Sequence, residues 1–129
     1  MDVKQLLLTA SVLAASIPGL AVADDMQRQY VQEAEIEIEP AQLDDYKAAV
    51  TEQIETAIHV EPGVLVLYAV SEKDNPTRVR VFEIYRDGDA YRSHLATAHF
   101  KKYKTTTEKM VKSLKLIQTT PILLGAKAR

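Results

Sequence analysis

From Gln29 to Glu39 apolar and polar positions alternate. Gln32, Ala34, Ile36 and Ile38 fall on one side, Val31, Glu33, Glu35, Glu37 and Glu39 on the other, which is the period of a half-buried strand. Pro40 ends that strand and suits the first turn of a helix. Leu43, Tyr46, Val50, Ile54 and Ile58 then recur at spacings of three and four, with Asp44, Asp45, Lys47, Glu52 and Glu55 between them. This stripe predicts an amphipathic helix of about 17 residues, stopped by Glu61-Pro62-Gly63. Val64 to Ser71 is a nearly continuous apolar run, the pattern of a central strand. After the polar turn Glu72–Pro76, alternation returns from Thr77 to Arg86. Val79, Val81, Glu83 and Tyr85 share one side of that strand; Arg78, Arg80, Phe82, Ile84 and Arg86 share the other. Two strands around a short polar turn predict an antiparallel hairpin. Asp87-Gly88-Asp89 turns the chain and offers a helix cap. The helical pattern from Ala90 to Lys112 slips in phase at Ala96-Thr97-Ala98, which predicts a break between a short helix and a longer one. Leu114 to Gln118 reads as a last strand, followed by the apolar tail Ile122-Leu123-Leu124.

The predicted order, β-α-β-β-α-β, is that of a ferredoxin-like α+β unit: a four-stranded antiparallel sheet with both helices on one face. Three strands carry apolar residues on both sides, and a chain of 129 residues has no second layer for the uncovered face. A second copy of the chain is the expected cover, giving a homodimer. The formal net charge of −2 argues against a nucleic-acid partner. The absence of Cys excludes disulfides and thiolate metal sites. At the N-terminus, Lys4 precedes an apolar run from Leu6 to Leu20, broken at Pro18-Gly19 and followed by Ala21-Val22-Ala23. This is the plan of a secretory signal peptide over residues 1–23, cut after Ala23. The run is short and diluted for a membrane anchor. The expected product is one periplasmic or secreted domain over 24–129, with its core at about 29–124.

The segment from Glu83 to Phe100 gathers most of the groups able to move a proton near neutral pH: Glu83, His94 and His99. Each also has a structural reading. Glu83 suits a buried partner for an Arg or a backbone N–H, His94 suits a partner for a backbone carbonyl or a cap on the strand end, and His99 suits capping or packing at the helix break. On a straight helix the two histidines, five residues apart, would diverge by about 140°, and no third ligand is evident, so no metal site is expected.

Four stretches carry a family resemblance: Glu61-Pro62-Gly63-Val64-Leu65, Asp74-Asn75-Pro76-Thr77-Arg78, Phe82-Glu83-Ile84-Tyr85-Arg86-Asp87, and His94-Leu95-Ala96-Thr97-Ala98-His99-Phe100. Over about residues 29–124 the chain resembles the antibiotic biosynthesis monooxygenase family, and within it the small quinol-monooxygenase-like proteins. The resemblance implies a dimeric α+β barrel and a monooxygenase that works without a cofactor on a quinol-like or phenolic molecule. Such an enzyme needs a base, a flat apolar pocket and donors that steady the anion. His94, Glu83 and His99 are then the candidate catalytic residues, and Tyr68, Tyr85, Tyr91 and Tyr103 the candidate substrate contacts. The alternative is a non-enzymatic dimer that binds a small ligand, of haem type or another, in the same pocket. The haem-degrading members rely on a Trp, and this chain has none.

Overall fold

A computed structural model describes residues 26–128; the predicted signal peptide lies outside them. Strand β1 (Tyr30–Ile38) leads through a 3-10 turn at Pro40–Gln42 into helix α1 (Leu43–Val60). Strands β2 (Val64–Ser71) and β3 (Arg78–Tyr85) form the hairpin. Helices α2 (Gly88–Leu95) and α3 (Ala98–Thr107) follow, and strand β4 (Val111–Thr119) completes the fold. The sheet order is β2-β3-β1-β4 with every pairing antiparallel. Hence β1 and β2 run parallel with β3 between them, the split arrangement of a ferredoxin-like α+β unit.

The core lies between the sheet and the helices. Ala34, Ile36, Ile38, Val79 and Val81 pack with Tyr46 and Val50 of α1 in one cluster. Ala57, Val64, Leu67, Tyr85 and Ala90 form a second. Ile54 packs against both. Across the sheet, Glu37 faces Arg78 and Glu33 faces Arg80, at 3.6 and 3.9 Å. These pairs are half exposed, so each contributes little, roughly 0–1 kcal/mol.

Four details depart from the sequence pattern. The buried stripe of α1 is Tyr46, Val50, Gln53 and Ala57, while Ile58 is exposed. The helical period fits this set equally well, and Gln53 is drawn in by a hydrogen-bond partner described below. The apolar run Val64–Ser71 is an edge strand, not a central one; Tyr68 and Val70 on it are 57% and 58% exposed. The last helix stops at Thr107, five residues short of the predicted end at Lys112. Three consecutive threonines, stiff at χ1, weaken the helix there. Glu39 N–H takes the Met110 carbonyl at 2.8 Å, which draws the chain into β4. Accordingly β4 is longer than predicted and begins at Val111, paired with Ile38.

Candidate functional site

The predicted break between α2 and α3 is built by Thr97. Its hydroxyl donates to the His94 carbonyl at 2.7 Å and accepts from the Phe100 N–H at 3.2 Å, so it caps α3 while tying it to α2. Asp87 caps α2 through the Ala90 N–H at 2.8 Å. The chain therefore changes direction between the two histidines, and the divergence expected of a straight helix does not occur. His94 Nδ1 and His99 Nε2 both reach Glu61 Oε2, at 2.8 and 2.7 Å. Glu61 follows α1 and, in sequence, serves only to stop it. Its turn is held against α2 by Gly63, where a Cβ would stand 2.6 Å from the Ala90 Cβ. The Arg86 N–H also donates to the Gly63 carbonyl at 2.8 Å.

On the other edge of its ring, His94 Nε2 lies 3.1 Å from the Gln53 side-chain nitrogen. An amide nitrogen can only donate, so His94 Nε2 accepts and its Nδ1 carries the proton given to Glu61. His99 donates from Nε2 to the same oxygen, because a carboxylate only accepts. His94 is 1% exposed, with the Tyr85 and Phe100 rings packed at 5.3 and 4.9 Å between centroids. The third group that the sequence pattern did not supply is thus Glu61. Gln53 was missed for a related reason: a glutamine on a helix reads as solvent-facing until its partner is seen.

Between the two core clusters is a cavity of about 280 Å³. Val50, Ile54, Leu67 and Val81 line it, with Leu95, Leu114 and Leu116 around it and Tyr91, Phe100 and Tyr103 adding aromatic rings. Its polar groups include Gln32, Gln53 and Glu83. The Glu83 carboxylate is held in place by two donors, the Tyr85 hydroxyl at 2.6 Å and the Gln32 amide at 3.1 Å. Both of these partners are neutral side chains rather than an Arg. Tyr85 is fully buried behind this wall, and burial, with the Glu83 carboxylate beside it, pushes its hydroxyl well above the usual tyrosine range. Tyr91 stacks on Tyr30 with centroids 4.2 Å apart and planes 7° apart. Tyr103 meets the Tyr46 hydroxyl at 2.7 Å, and burial raises both pKa values.

The predicted residues separate accordingly. Glu83, Tyr91 and Tyr103 line the cavity, and Tyr85 positions Glu83 from behind. Tyr68 follows the inward-facing Leu67 and pairs with Phe82 on the opposite face of the sheet, away from the cavity. His94 lies behind the wall and is linked to it through Gln53. His99 opens onto a separate groove of about 320 Å³ between α1 and α3, shared with Gln53, Lys102 and Tyr103.

Residues 29–106 match the antibiotic biosynthesis monooxygenase family. A crystal structure of a candidate antibiotic biosynthesis monooxygenase from Bacteroides thetaiotaomicron is 48% identical, with a TM-score of 0.77, covering 81% of this chain and 99% of that one. A candidate monooxygenase from Lactobacillus acidophilus is 27% identical with a TM-score of 0.70. That match covers 71% of this chain and 44% of the Lactobacillus protein, so the present chain spans under half of it. A protein from Nitrosomonas europaea, 22% identical over 74% of this chain and 92% of its own, shares the fold with a TM-score of 0.71. No curated protein matches the chain.

Proposed function

From the premise that this chain belongs to the antibiotic biosynthesis monooxygenase family, we propose that it is a monooxygenase of small phenolic or quinol-like molecules, working with molecular oxygen and no organic cofactor. The observation that carries this reading is the carboxylate of Glu83 on the wall of an otherwise largely apolar, aromatic-lined cavity. At about 280 Å³ the cavity lies near the small end of ligand pockets, which start at about 300 Å³. A flat ring fits among Tyr91, Phe100 and Tyr103, and its hydroxyl faces Glu83. Glu83 takes the hydroxyl proton, and the electron-rich phenolate then passes electrons to oxygen. One oxygen atom forms the new ring carbonyl and the other leaves as water. Conversion of a phenol to a quinone in this way consumes one O2 and needs no external reductant. The Tyr85 and Gln32 donors hold the carboxylate in a single orientation throughout.

The test is oxygen uptake by the purified protein with a panel of phenols and hydroquinones. Uptake above the chemical background is expected, with a loss of about 10² or more for Glu83→Ala. No uptake with any member of the panel overturns the oxygenase reading. Tight ligand binding without uptake favours the non-enzymatic binding protein. Uptake that survives Glu83→Ala removes Glu83 from the mechanism.

We also propose that the protein works as a homodimer and is exported. The sheet face opposite the helices carries Tyr68 and Val70 exposed, which supports a second copy as its cover. The signal-peptide pattern of residues 1–23 supports export. Among the described residues, no helix is long and apolar enough to cross a membrane.

A further inference from the structure

Glu61, His94 and His99 come from a helix–strand turn, α2 and α3, and converge on one point. One ligand atom from each lies within 4.8 Å of the other two. The carboxylate side chain is 12% exposed and the imidazoles are 1% and 17% exposed. We propose that these three residues bind a divalent transition-metal ion of the zinc, cobalt or iron(II) class. This goes beyond the oxygenase reading and does not depend on it, because the cluster lies outside the cavity that holds Glu83.

Donor chemistry favours such an ion. Two imidazoles and one carboxylate suit borderline metals, whereas magnesium and calcium prefer all-oxygen shells. The geometry is close. Bonds of about 2.1 Å place neighbouring donors about 3 to 3.5 Å apart, according to whether the shell is octahedral or tetrahedral. The two oxygen-to-nitrogen separations are 2.8 and 2.7 Å and all three donor atoms lie within 4.8 Å of one another, so small side-chain shifts make room for the ion. In the metal-free arrangement two protons occupy those lines. Entry of the ion replaces them: the His94 proton moves to Nε2 and the His99 proton to Nδ1, so that each imidazole binds as a neutral ligand. The way in is the groove between α1 and α3, onto which His99 opens.

Gln53 supplies the independent observation. Its Oε1 is buried and has no hydrogen-bond partner, while its amide nitrogen donates to His94 Nε2. When a metal holds Nδ1, the His94 proton must sit on Nε2, where it needs an acceptor. A half-turn of the Gln53 amide presents Oε1 to that proton and gives the orphaned oxygen its partner. The side chain beside His94 is thus of the type that serves both tautomers, as the groups behind metal-binding histidines do. Gln53 is a positioning residue in this scheme, not a ligand.

Cobalt(II) alone is the probe. Titration of the purified protein should develop visible d–d bands that saturate at one ion per chain, and zinc should displace them. His99→Ala and Glu61→Gln should each weaken cobalt binding at least about 10²-fold. Gln53→Leu should weaken it about 10- to 100-fold while keeping one ion per chain. His59→Ala, at the exposed end of α1, should change nothing. Circular dichroism identifies any variant that has lost its fold, and zinc-dependent stabilisation in thermal melts of wild type but not of His99→Ala gives a second readout. The absence of d–d bands at millimolar cobalt, or bands that persist in folded His99→Ala and Glu61→Gln, overturns the proposal. None of these readouts involves turnover, so failure here leaves the oxygenase reading standing, and the reverse also holds.

Discussion

Glu61 shows how far a residue's chemistry depends on what folds against it. Beside Pro62 and Gly63 it is a helix stop. Packed under the α2–α3 break it accepts from two histidines at once. Gln53 follows the same logic: it is polar, buried, and engaged with His94, 41 positions away, whereas the buried Tyr85 meets Glu83 at the pocket wall from two positions along the same strand. The tyrosines allow a test at this scale. Burial raises the pKa of Tyr46, Tyr85 and Tyr103 above the ordinary value of 10.0. A raised phenol pKa means the folded state holds the proton that the unfolded chain releases. This contribution to stability is fully present below pH 10.0 and is lost as pH rises through and above it. In an alkaline titration the phenolate absorbance of these three residues should therefore rise together with the loss of near-ultraviolet circular dichroism. Reversible ionisation of all three while the fold persists would contradict it.

At the scale of elements, the site depends on two short junctions. Thr97 turns the chain between α2 and α3, and Gly63 lets the α1–β2 turn approach α2 closely enough to deliver Glu61. Both junctions have local signatures: a phase slip at 96–98 and a Pro-Gly stop. Their joint effect has none, because convergence of the two depends on how the segments pack. Gly63→Ala tests the close approach. The added methyl would meet the Ala90 Cβ at 2.6 Å, so a loss of about 1–3 kcal/mol is expected in urea unfolding. In a double-mutant cycle, Ala90→Gly should offset part of that loss beyond its own cost of about 1 kcal/mol for glycine in a helix. An unfolding midpoint unchanged by Gly63→Ala would show that the turn is free to move.

The whole molecule has two sheet faces with different fates. One is covered by the helices and holds the cavity, with Leu114 and Leu116 of β4 left half exposed at its edge. The other carries Tyr68 and Val70 into solvent and is where we place a second copy. Light scattering should then give twice the chain mass, and Tyr68→Glu with Val70→Lys should reduce it to one; a wild-type monomer would refute the dimer. By itself the sequence determined the element order, the helix break, the hairpin and the ferredoxin-like sheet, because alternation, helical periodicity and turn residues act over a few neighbouring positions. It also pointed to Glu83, Tyr91 and Tyr103, which lie on inward-facing positions of regular elements. It placed Val64–Ser71 in the centre of the sheet, since a run of apolar residues reports burial on both faces without saying what covers them. Only the tertiary structure decided that the strand lies at an edge, that Tyr68 faces away from the cavity, and that His94 and His99 meet on Glu61. Those facts rest on contacts between residues far apart in the chain, 38 positions for Glu61 and His99 and 88 for Val31 and Thr119, and on the angle at which separate elements pack, which no local pattern encodes.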